Sequence, residues 1–244
     1  MILLSEPPFA AATGRGVSVA VVDSGIASGH PHVGVVSRGV LLGGGGADSE
    51  DFGDRIGHGT AVAAAIVEKA PDIEILAVRV FERELATSAA LLARGITWAA
   101  ESGARVINLS LGTPNMAREG VLREAVDHAV TRGAIVISAA DVEGVPYLPG
   151  SMAGVIGVEL DWSLPRDAIG LASSSSGTAR VRASGYPRPI EGVPPSRNLS
   201  GISFAVANVS GFVARLLESF PDIQCADDAI RAFAAIEQGT RTVG

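Results

Sequence analysis

The sequence predicts one α/β domain over residues 1–244, with a mostly parallel central sheet and helices on both of its faces. Three observations predict this fold class. Apolar runs rich in Val, Ile and Ala alternate with longer segments whose apolar residues recur at helical spacing, the pattern of strand–helix–strand units. The predicted strands are apolar along most of their length, as in sheets covered on both faces. Hydrophobic residues make up 47% of the chain and charged residues 18%, so material for a large core is present.

The elements follow one another in regular order. A first strand within residues 16–26 ends abruptly at Asp23, where a turn is predicted. The same signals predict helices over 59–70, 88–103 and 118–133, strands over 73–80, 105–112, 134–141 and 153–160, and a last helix from residue 204 onward. Segments 43–46, 173–177 and 186–198 predict surface loops. Because sites in parallel sheets collect at the carboxyl ends of the strands, the residues at those ends are the first candidates for function.

Composition excludes several function classes. The net charge of −7, without a cluster of Lys or Arg, argues against nucleic acid as a partner. No apolar run reaches the ~18 residues that span a bilayer, so no membrane segment is predicted. The N-terminal residues 1–16 lack a basic region before their apolar residues, and we expect neither a signal peptide nor an anchor. The single Cys225 forms no intramolecular disulfide, and cytoplasmic residence is the expectation.

Three residues at strand ends or helix starts carry chemistry when taken together. Ser203 precedes a helical pattern and is either an N-cap or a nucleophile. Asp23 and His58 also have simple interpretations, as a turn residue and a helix-start residue. Yet a serine hydroxyl becomes nucleophilic when an imidazole takes its proton, and that imidazole needs a carboxylate to orient it. The chain order Asp, His, Ser is the order found in subtilisin.

Four blocks of sequence resemble those of the subtilisin-like serine proteases, the subtilases of peptidase family S8. VAVVDSGIASGHP is similar to the aspartate block, GHGTAVA to the histidine block and SGISFAVANVSG to the serine block, while INLSLG resembles the substrate-binding strand. The resemblance extends from about residue 16 to residue 217. It implies the family's three-layer fold and a triad in which Asp23 orients, His58 is the general base and Ser203 is the nucleophile.

The resemblance also implies a substrate and a cleft. An extended peptide would pair as a strand with residues 110–114. The implied substrate-binding residues are Ser110, Leu111, Gly112, Ala139 and Ala140. Asp141 and Glu143 favour a basic side chain just before the scissile bond. The predicted function is therefore a compact serine endopeptidase that works through an acyl-enzyme, with a restricted substrate such as a precursor peptide.

One block departs from the family pattern at the oxyanion hole. Where the family has Ala-Ala-Gly-Asn-Glu-Gly, this chain has Ala-Ala-Asp-Val-Glu-Gly, so Val142 stands at the asparagine and Asp141 at the glycine. The oxyanion region then consists of Asp141, Val142 and Ser203, and only the backbone N–H of Ser203 remains as a donor there. Loss of this asparagine donor costs ~10²–10³ in turnover. Candidate replacement donors are Asn115, Arg197 and Asn198 in this chain, or a group from a partner chain.

Two further hypotheses remain open, and the first of them follows from this departure. A subtilisin-like pseudoprotease could bind a peptide or an active homologue, and the acyl-enzyme could pass its acyl group to an amine instead of water. No cofactor or metal is expected, because His30 and His32 have no neighbouring carboxylate or Cys set and the calcium loop of many subtilisins is missing after the histidine helix. The predicted partner is a peptide or protein substrate, with a partner subunit or homo-oligomer left open.

Overall fold

The structure is a computed structural model that describes residues 1–43, 48–81, 84, 86–172, 178–194 and 197–242, with only the backbone for 240–242. Its strands are β1 (Ile2–Leu3), β2 (Ser18–Asp23), β3 (Arg38–Leu41), β4 (Glu74–Arg79), β5 (Val106–Leu109), β6 (Ile135–Ala139), β7 (Asp141–Val142), β8 (Val145–Pro146), β9 (Val155–Leu160), β10 (Ala168–Leu171) and β11 (Arg180–Ala183). Its α-helices are α1 (His58–Lys69), α2 (Ala89–Glu101), α3 (Glu119–Thr131), α4 (Ile202–Ser219) and α5 (Ala226–Thr242).

A nine-stranded sheet forms the middle of the molecule, in the order β1-β10-β11-β9-β6-β5-β2-β4-β3. Every pairing from β11 to β3 is parallel, and the two antiparallel pairings, β11 with β10 and β10 with β1, lie at one edge. The mostly parallel sheet is thus confirmed, and the five predicted strands are β2, β4, β5, β6 and β9. The sequence did not predict the edge strands, the β7–β8 hairpin or α5. The predicted loop at 173–177 and residues 44–46 lie outside the described residues.

Helices cover both faces of the sheet, as predicted. One apolar core lies between the sheet and α1, α4 and α5, and it contains Phe204, Phe212 and Phe233. The other lies between the sheet and α2 and α3, with Ile96 and Leu122 fully buried in it. No helix of the described chain is long and apolar enough to cross a membrane.

The strand register brings the predicted site residues to one edge of the sheet. Val22 of β2 pairs with Leu109 of β5, which in turn pairs with Ser138 of β6. Since these strands are parallel and neighbours, the residues that follow their paired positions meet at the same carboxyl edge. That edge therefore carries Asp23, the segment that begins at Ser110, and the segment that begins at Ala139.

Candidate active site

Asp23 and His58 are joined by hydrogen bonds at this edge. His58 is the first residue of α1, and its Nδ1 lies 2.8 Å from Oδ1 and 3.0 Å from Oδ2 of Asp23. Asp23 is fully buried, and the backbone N–H of Ser24 donates to its Oδ1 at 2.7 Å. Because a carboxylate only accepts hydrogen bonds, Nδ1 of His58 carries the proton and Nε2 of the neutral ring is free to accept one.

The surroundings of His58 favour its protonated form. Its side chain is 15% exposed. Burial lowers the pKa of His58, but the hydrogen bond and charge of Asp23, together with the charge of Asp54, raise the pKa above its ordinary value. An imidazole in this setting takes a proton readily, as a general base must.

Ser203 is the second residue of α4, directly before Phe204. The helix is capped by Gly201, so the interpretation of Ser203 as the N-cap is wrong. The Ser203 hydroxyl donates to the carbonyl oxygen of Ser110 at 3.1 Å, and among the described residues no hydrogen bond joins Ser203 to His58. The ring of the next residue, Phe204, has its centroid 6.0 Å from that of His58.

A buried polar chain connects Ser110 to the interior of α4. Ser110 Oγ donates to Asn108 Oδ1 at 2.9 Å, and Asn108 Nδ2 donates to Ser210 Oγ at 3.0 Å. Ser210 lies two turns into α4 and donates in turn to the carbonyl oxygen of Val206 at 2.9 Å. Both Asn108 and Ser210 are fully buried, so these bonds fix the end of β5 against the helix that carries Ser203.

The predicted oxyanion residues Asp141 and Val142 form strand β7 of a small hairpin. Val142 pairs with Val145 of β8, and the turn residues Glu143 and Gly144 both have positive φ, of 54° and 79°. Asp141 Oδ1 accepts the N–H of Gly144 at 3.3 Å. The side chain of Asp141 is therefore engaged in the turn of its own hairpin, and Val142 offers no side-chain donor.

The three candidate replacement donors for the oxyanion make hydrogen bonds elsewhere in the chain. Asn198 Nδ2 donates to the carbonyl oxygen of Arg188 at 3.2 Å. Asn115 Oδ1 accepts the N–H of Ala117 at 3.1 Å, at the start of a short 3₁₀ turn. Arg197 is exposed, and its backbone N–H donates to Pro194. No recorded contact among the described residues brings any of the three to Ser203.

The predicted cleft walls are bridged by residues 147–148. The N–H of Tyr147 donates to the carbonyl oxygen of Ala140 at 3.0 Å, while Leu148 exchanges two backbone hydrogen bonds with Thr113, at 2.9 and 3.0 Å. A β-carbon at Gly112 would lie 3.4 Å from Cδ1 of Tyr147. The wall that begins at Ser110 and the wall of Ala139 and Ala140 therefore meet across Tyr147.

Two of the three histidines outside the predicted triad, His30 and His32, lie beside a cavity of about 350 Å³. His30 and His32 pack edge to face with centroids 5.3 Å apart, and they line this cavity with Asp54. Within the described ranges, no group of three or more His, Cys, Asp or Glu is placed to hold a metal ion. Between α1 and β4 the chain has only residues 70–73, so the calcium loop of many subtilisins has no counterpart there.

Gly59, the second residue of α1, allows the helix to approach β2 closely. A β-carbon there would lie 2.2 Å from the carbonyl oxygen of Gly25 and 3.1 Å from Cβ of Asp23. We expect Gly59→Ala to lower the free energy of unfolding by about 1–3 kcal/mol and to separate His58 from Asp23. Urea unfolding measures the first effect. The matched control is Gly120→Ala in α3, where a β-carbon meets nothing within 4 Å, and it should leave stability unchanged or raise it by up to ~1 kcal/mol.

Comparison with known proteins identifies the family. The model of the subtilase family, Peptidase_S8, matches residues 14–235, which is most of the chain. The chain belongs to the subtilase family. This subtilase is 32% identical to thermitase of Thermoactinomyces vulgaris over 239 residues, which cover 85% of this chain and 77% of thermitase.

Two further comparisons set the range of this similarity. An alkaline protease of Alkalihalobacillus alcalophilus is 30% identical over 230 residues, but the match covers 86% of this subtilase and only 56% of that protein. The chain thus spans about half the length of some of the curated relatives it matches. Among solved structures, the prenylagaramide maturation protease PagA has 27% identity and a TM-score of 0.62, covering 83% of this chain and 76% of that one.

Sequence reasoning missed the residues that hold the triad segments in place. Asp54 accepts hydrogen bonds from both sides of His58, and Asn108 connects Ser110 to α4. Asp54 carried no capping signal, because a capping side chain directly precedes the first helical residue and Gly57 occupies that position. Asn108 gave no signal beyond its place in the strand block of this subtilase.

Proposed function

We propose that this subtilase is a serine endopeptidase in which Asp23, His58 and Ser203 form the catalytic triad. Its substrate is restricted, and a precursor peptide is the class we favour. The observation that carries the proposal is the pair of hydrogen bonds from His58 Nδ1 to the buried Asp23 carboxylate, at 2.8 and 3.0 Å, beside the start of α4. A buried carboxylate on Nδ1 leaves Nε2 as the base that a serine nucleophile requires.

The proposed reaction has two halves. Ser203 Oγ attacks the scissile carbonyl carbon while His58 Nε2 takes the hydroxyl proton, and the oxyanion that forms accepts the backbone N–H of Ser203. The C–N bond then breaks, His58 returns the proton to the leaving amine, and an ester remains on Ser203. In the second half His58 deprotonates a water that attacks the ester. The acid product leaves, and the proton returns to Ser203 Oγ.

A fluorophosphonate probe tests the nucleophile directly. It should form one covalent adduct, located on the peptide that contains Ser203 by mass spectrometry, and the adduct should be absent in His58→Ala. Two observations favour the alternative, a pseudoprotease that binds peptide: Val142 at the position of the asparagine donor, and the Ser203 hydroxyl held on Ser110. A folded protein that acquires no adduct at Ser203, alone or with a candidate partner, would decide for this alternative.

Substrate restriction is supported by the bridged cleft and by one neighbour. Tyr147 lies against Gly112 and is bonded to Ala140, so little depth remains between the walls. PagA is a prenylagaramide maturation protease, and the similarity of this chain to it supports a precursor peptide as the substrate class. Cytoplasmic residence is part of the proposal, and cell fractionation tests it.

We expect the enzyme to cleave best after small residues such as Gly, Ala or Ser. Tyr147→Ala should raise kcat/KM for Phe relative to Ala at this position by about 10–200-fold, because it removes the ring whose Cδ1 lies 3.4 Å from the position of a β-carbon on Gly112. A panel of peptides that differ only in this residue measures the ratio. Tyr186→Ala, at the other tyrosine of the chain, is the control and should leave the ratio unchanged.

The same panel decides between this expectation and the basic preference predicted from the sequence. Glu143 lies exposed in the hairpin turn, and Asp141 is bonded to Gly144, so both charges are engaged in the hairpin or solvent. Preferred cleavage after Arg or Lys would support the basic preference and contradict the preference for small residues. Preferred cleavage after Phe or Leu by the unmodified enzyme would contradict both preferences.

A further inference from the structure

The carboxylate of Asp54 accepts five hydrogen bonds in the loop before α1. Its Oδ1 accepts the N–H of Ile56 at 2.9 Å, the N–H of Gly57 at 2.7 Å and the hydroxyl of Ser24 at 2.9 Å. Its Oδ2 accepts the N–H of Thr60 at 2.9 Å and the hydroxyl of Thr60 at 2.6 Å. A carboxylate has about four lone-pair sites, so this one is fully engaged.

These donors lie on both sides of His58 in the chain. The N-cap of α1 is Gly57, which has no side chain to bond the free N–H groups of the first turn. Asp54 supplies the acceptor for the N–H of Thr60, and Ser24 Oγ supplies one for the N–H of Gly59 at 2.9 Å. The first turn of α1 is therefore capped from outside the helix, at the turn that carries the imidazole.

The same carboxylate reaches the segment that carries the orienting residue. Ser24, which donates its hydroxyl to Asp54, directly follows Asp23 and donates its N–H to Asp23 Oδ1 at 2.7 Å. Ser24 is fully buried, so water does not compete for these bonds. One side chain thus connects the end of β2, where the orienting carboxylate lies, to the start of α1, where the base lies.

We propose that Asp54 is a positioning residue for catalysis, whose carboxylate fixes the start of α1 against the end of β2 and so holds His58 on Asp23. The inference rests on the proposed function, in which His58 is the general base. Asp54 acts through its contacts with Ser24, Gly57 and Thr60. It also acts through its charge, which stabilises the imidazolium that forms when Ser203 gives up its proton.

Asp54 is ionised at neutral pH. Burial raises the pKa of Asp54, but the hydrogen bonds from Thr60, Gly57 and Ile56 outweigh burial and hold this pKa below its ordinary value. The two carboxylates that act on His58 are Asp23 from β2 and Asp54 from the loop, and both raise the pKa of its imidazole.

Other groups surround the same region. On the side of α4, the group that packs against His58 is the uncharged ring of Phe204. On its far side, Asp54 faces the cavity that is also lined by His30, His32 and Arg188. These three groups are cationic or titratable, so a change in the charge of Asp54 can affect them as well. The effect of Asp54 is therefore measured on the titration of His58 itself, at fixed ionic strength.

The expected direction of the pH effect follows from the state that catalysis needs. The base works as neutral imidazole, so activity falls as the pH drops through the pKa of His58. Asp54→Asn keeps one carbonyl oxygen for Ile56, Gly57 and Ser24 but removes the charge. Loss of the Asp54 charge lowers the pKa of His58. The acid limb of the kcat/KM profile therefore moves to lower pH. At the plateau kcat should fall by between about tenfold and about a hundredfold, because the ring is held less accurately.

The experiment combines kinetics with NMR of the same protein. The titration of His58 is followed among the four histidines, its signal assigned with His58→Ala, and the low-field Nδ1–H resonance reports the bond to Asp23. Both the titration midpoint and this resonance are compared in the unmodified protein, in Asp54→Asn and in Ser24→Ala. Ser24→Ala removes the link to β2 while leaving the Asp54 charge in place, and should weaken the low-field resonance with little shift of the midpoint. The control of equal charge change is Asp228→Asn in α5, which should alter neither readout.

The outcomes separate this inference from the proposed function. An unchanged His58 midpoint together with an unchanged low-field resonance in Asp54→Asn would overturn the role of Asp54, even if stability dropped. Absence of a Ser203 adduct in the unmodified protein would overturn the function, while the NMR comparison would still decide whether Asp54 holds the His58–Asp23 pair.

Discussion

Ser203→Ala is expected to lower kcat for peptide hydrolysis on the order of 10⁶-fold, the size of the loss that follows removal of the nucleophile in subtilisin. The reason is that the acyl-enzyme cannot form without Ser203 Oγ, so only water attack assisted by the backbone N–H and by substrate binding remains. His58→Ala should cause a loss of similar size, and the double variant should lose little more. Initial rates on one good peptide measure all three variants.

The matched control for this prediction is Ser200→Ala. Ser200 lies three residues before the nucleophile and is exposed, so its loss should leave the rate within a factor of about two of the unmodified enzyme. Melting temperatures of the variants establish that all are folded. A rate in Ser203→Ala within tenfold of the unmodified rate would mean that another residue, or another protein in the preparation, carries the activity.

Val142→Asn is expected to raise kcat by about 10²–10³-fold, because it restores a side-chain donor where the family has one for the oxyanion. Val142 is half-buried in β7 and its side chain is not part of either apolar core, so an amide is tolerated there. The gain should appear in kcat for peptide hydrolysis and in the rate of fluorophosphonate labelling.

Val145→Asn is the matched control for the donor. Val145 pairs with Val142 across the same hairpin and is 49% exposed, so the same substitution is made on the neighbouring strand without reaching the oxyanion. It should leave kcat unchanged. If Val142→Asn raised kcat no more than Val145→Asn does, the hairpin would hold residue 142 away from the scissile carbonyl, and the oxyanion would have another donor.

The central sheet could be predicted from the sequence because its parallel strands are buried on both faces. Strands such as β2 and β6 are apolar runs that are followed or closed by polar residues, Asp23 at the end of β2 and Asp141 two residues after β6, and the helices between them have clear apolar spacing. Other strands lack that signal. β11 alternates Arg with Val and Ala, and β1 and β7 have only two residues each. β1 is defined by its pairing with the distant β10, and β7 by its hairpin partner β8.

The last helix, α5, differs from these strands because its sequence does carry a signal. Ala229 and Phe233 are buried four residues apart, and the acidic Asp227 and Asp228 lie in the first turn, which is an amphipathic helical pattern. At the candidate site, residue types and chain order predicted Asp23, His58 and Ser203. The link from Asp54 to Ser24 could not be predicted, because it depends on the approach of the loop before α1 to the end of β2. The other four bonds of Asp54 come from Ile56, Gly57 and Thr60, which are near in the chain, but they carry no recognisable capping spacing.

In the proposed mechanism, the hydrogen bond from Ser203 to the carbonyl oxygen of Ser110 would link substrate binding to activation of the nucleophile. A peptide laid as a strand along residues 110–112 brings backbone N–H groups that compete for that same carbonyl. When a peptide N–H takes the carbonyl, the serine hydroxyl loses its acceptor and is released toward the imidazole. Binding of a peptide and release of the Ser203 hydroxyl would then occur together. A small ester without a backbone amide would bind in the cleft without releasing the hydroxyl from Ser110.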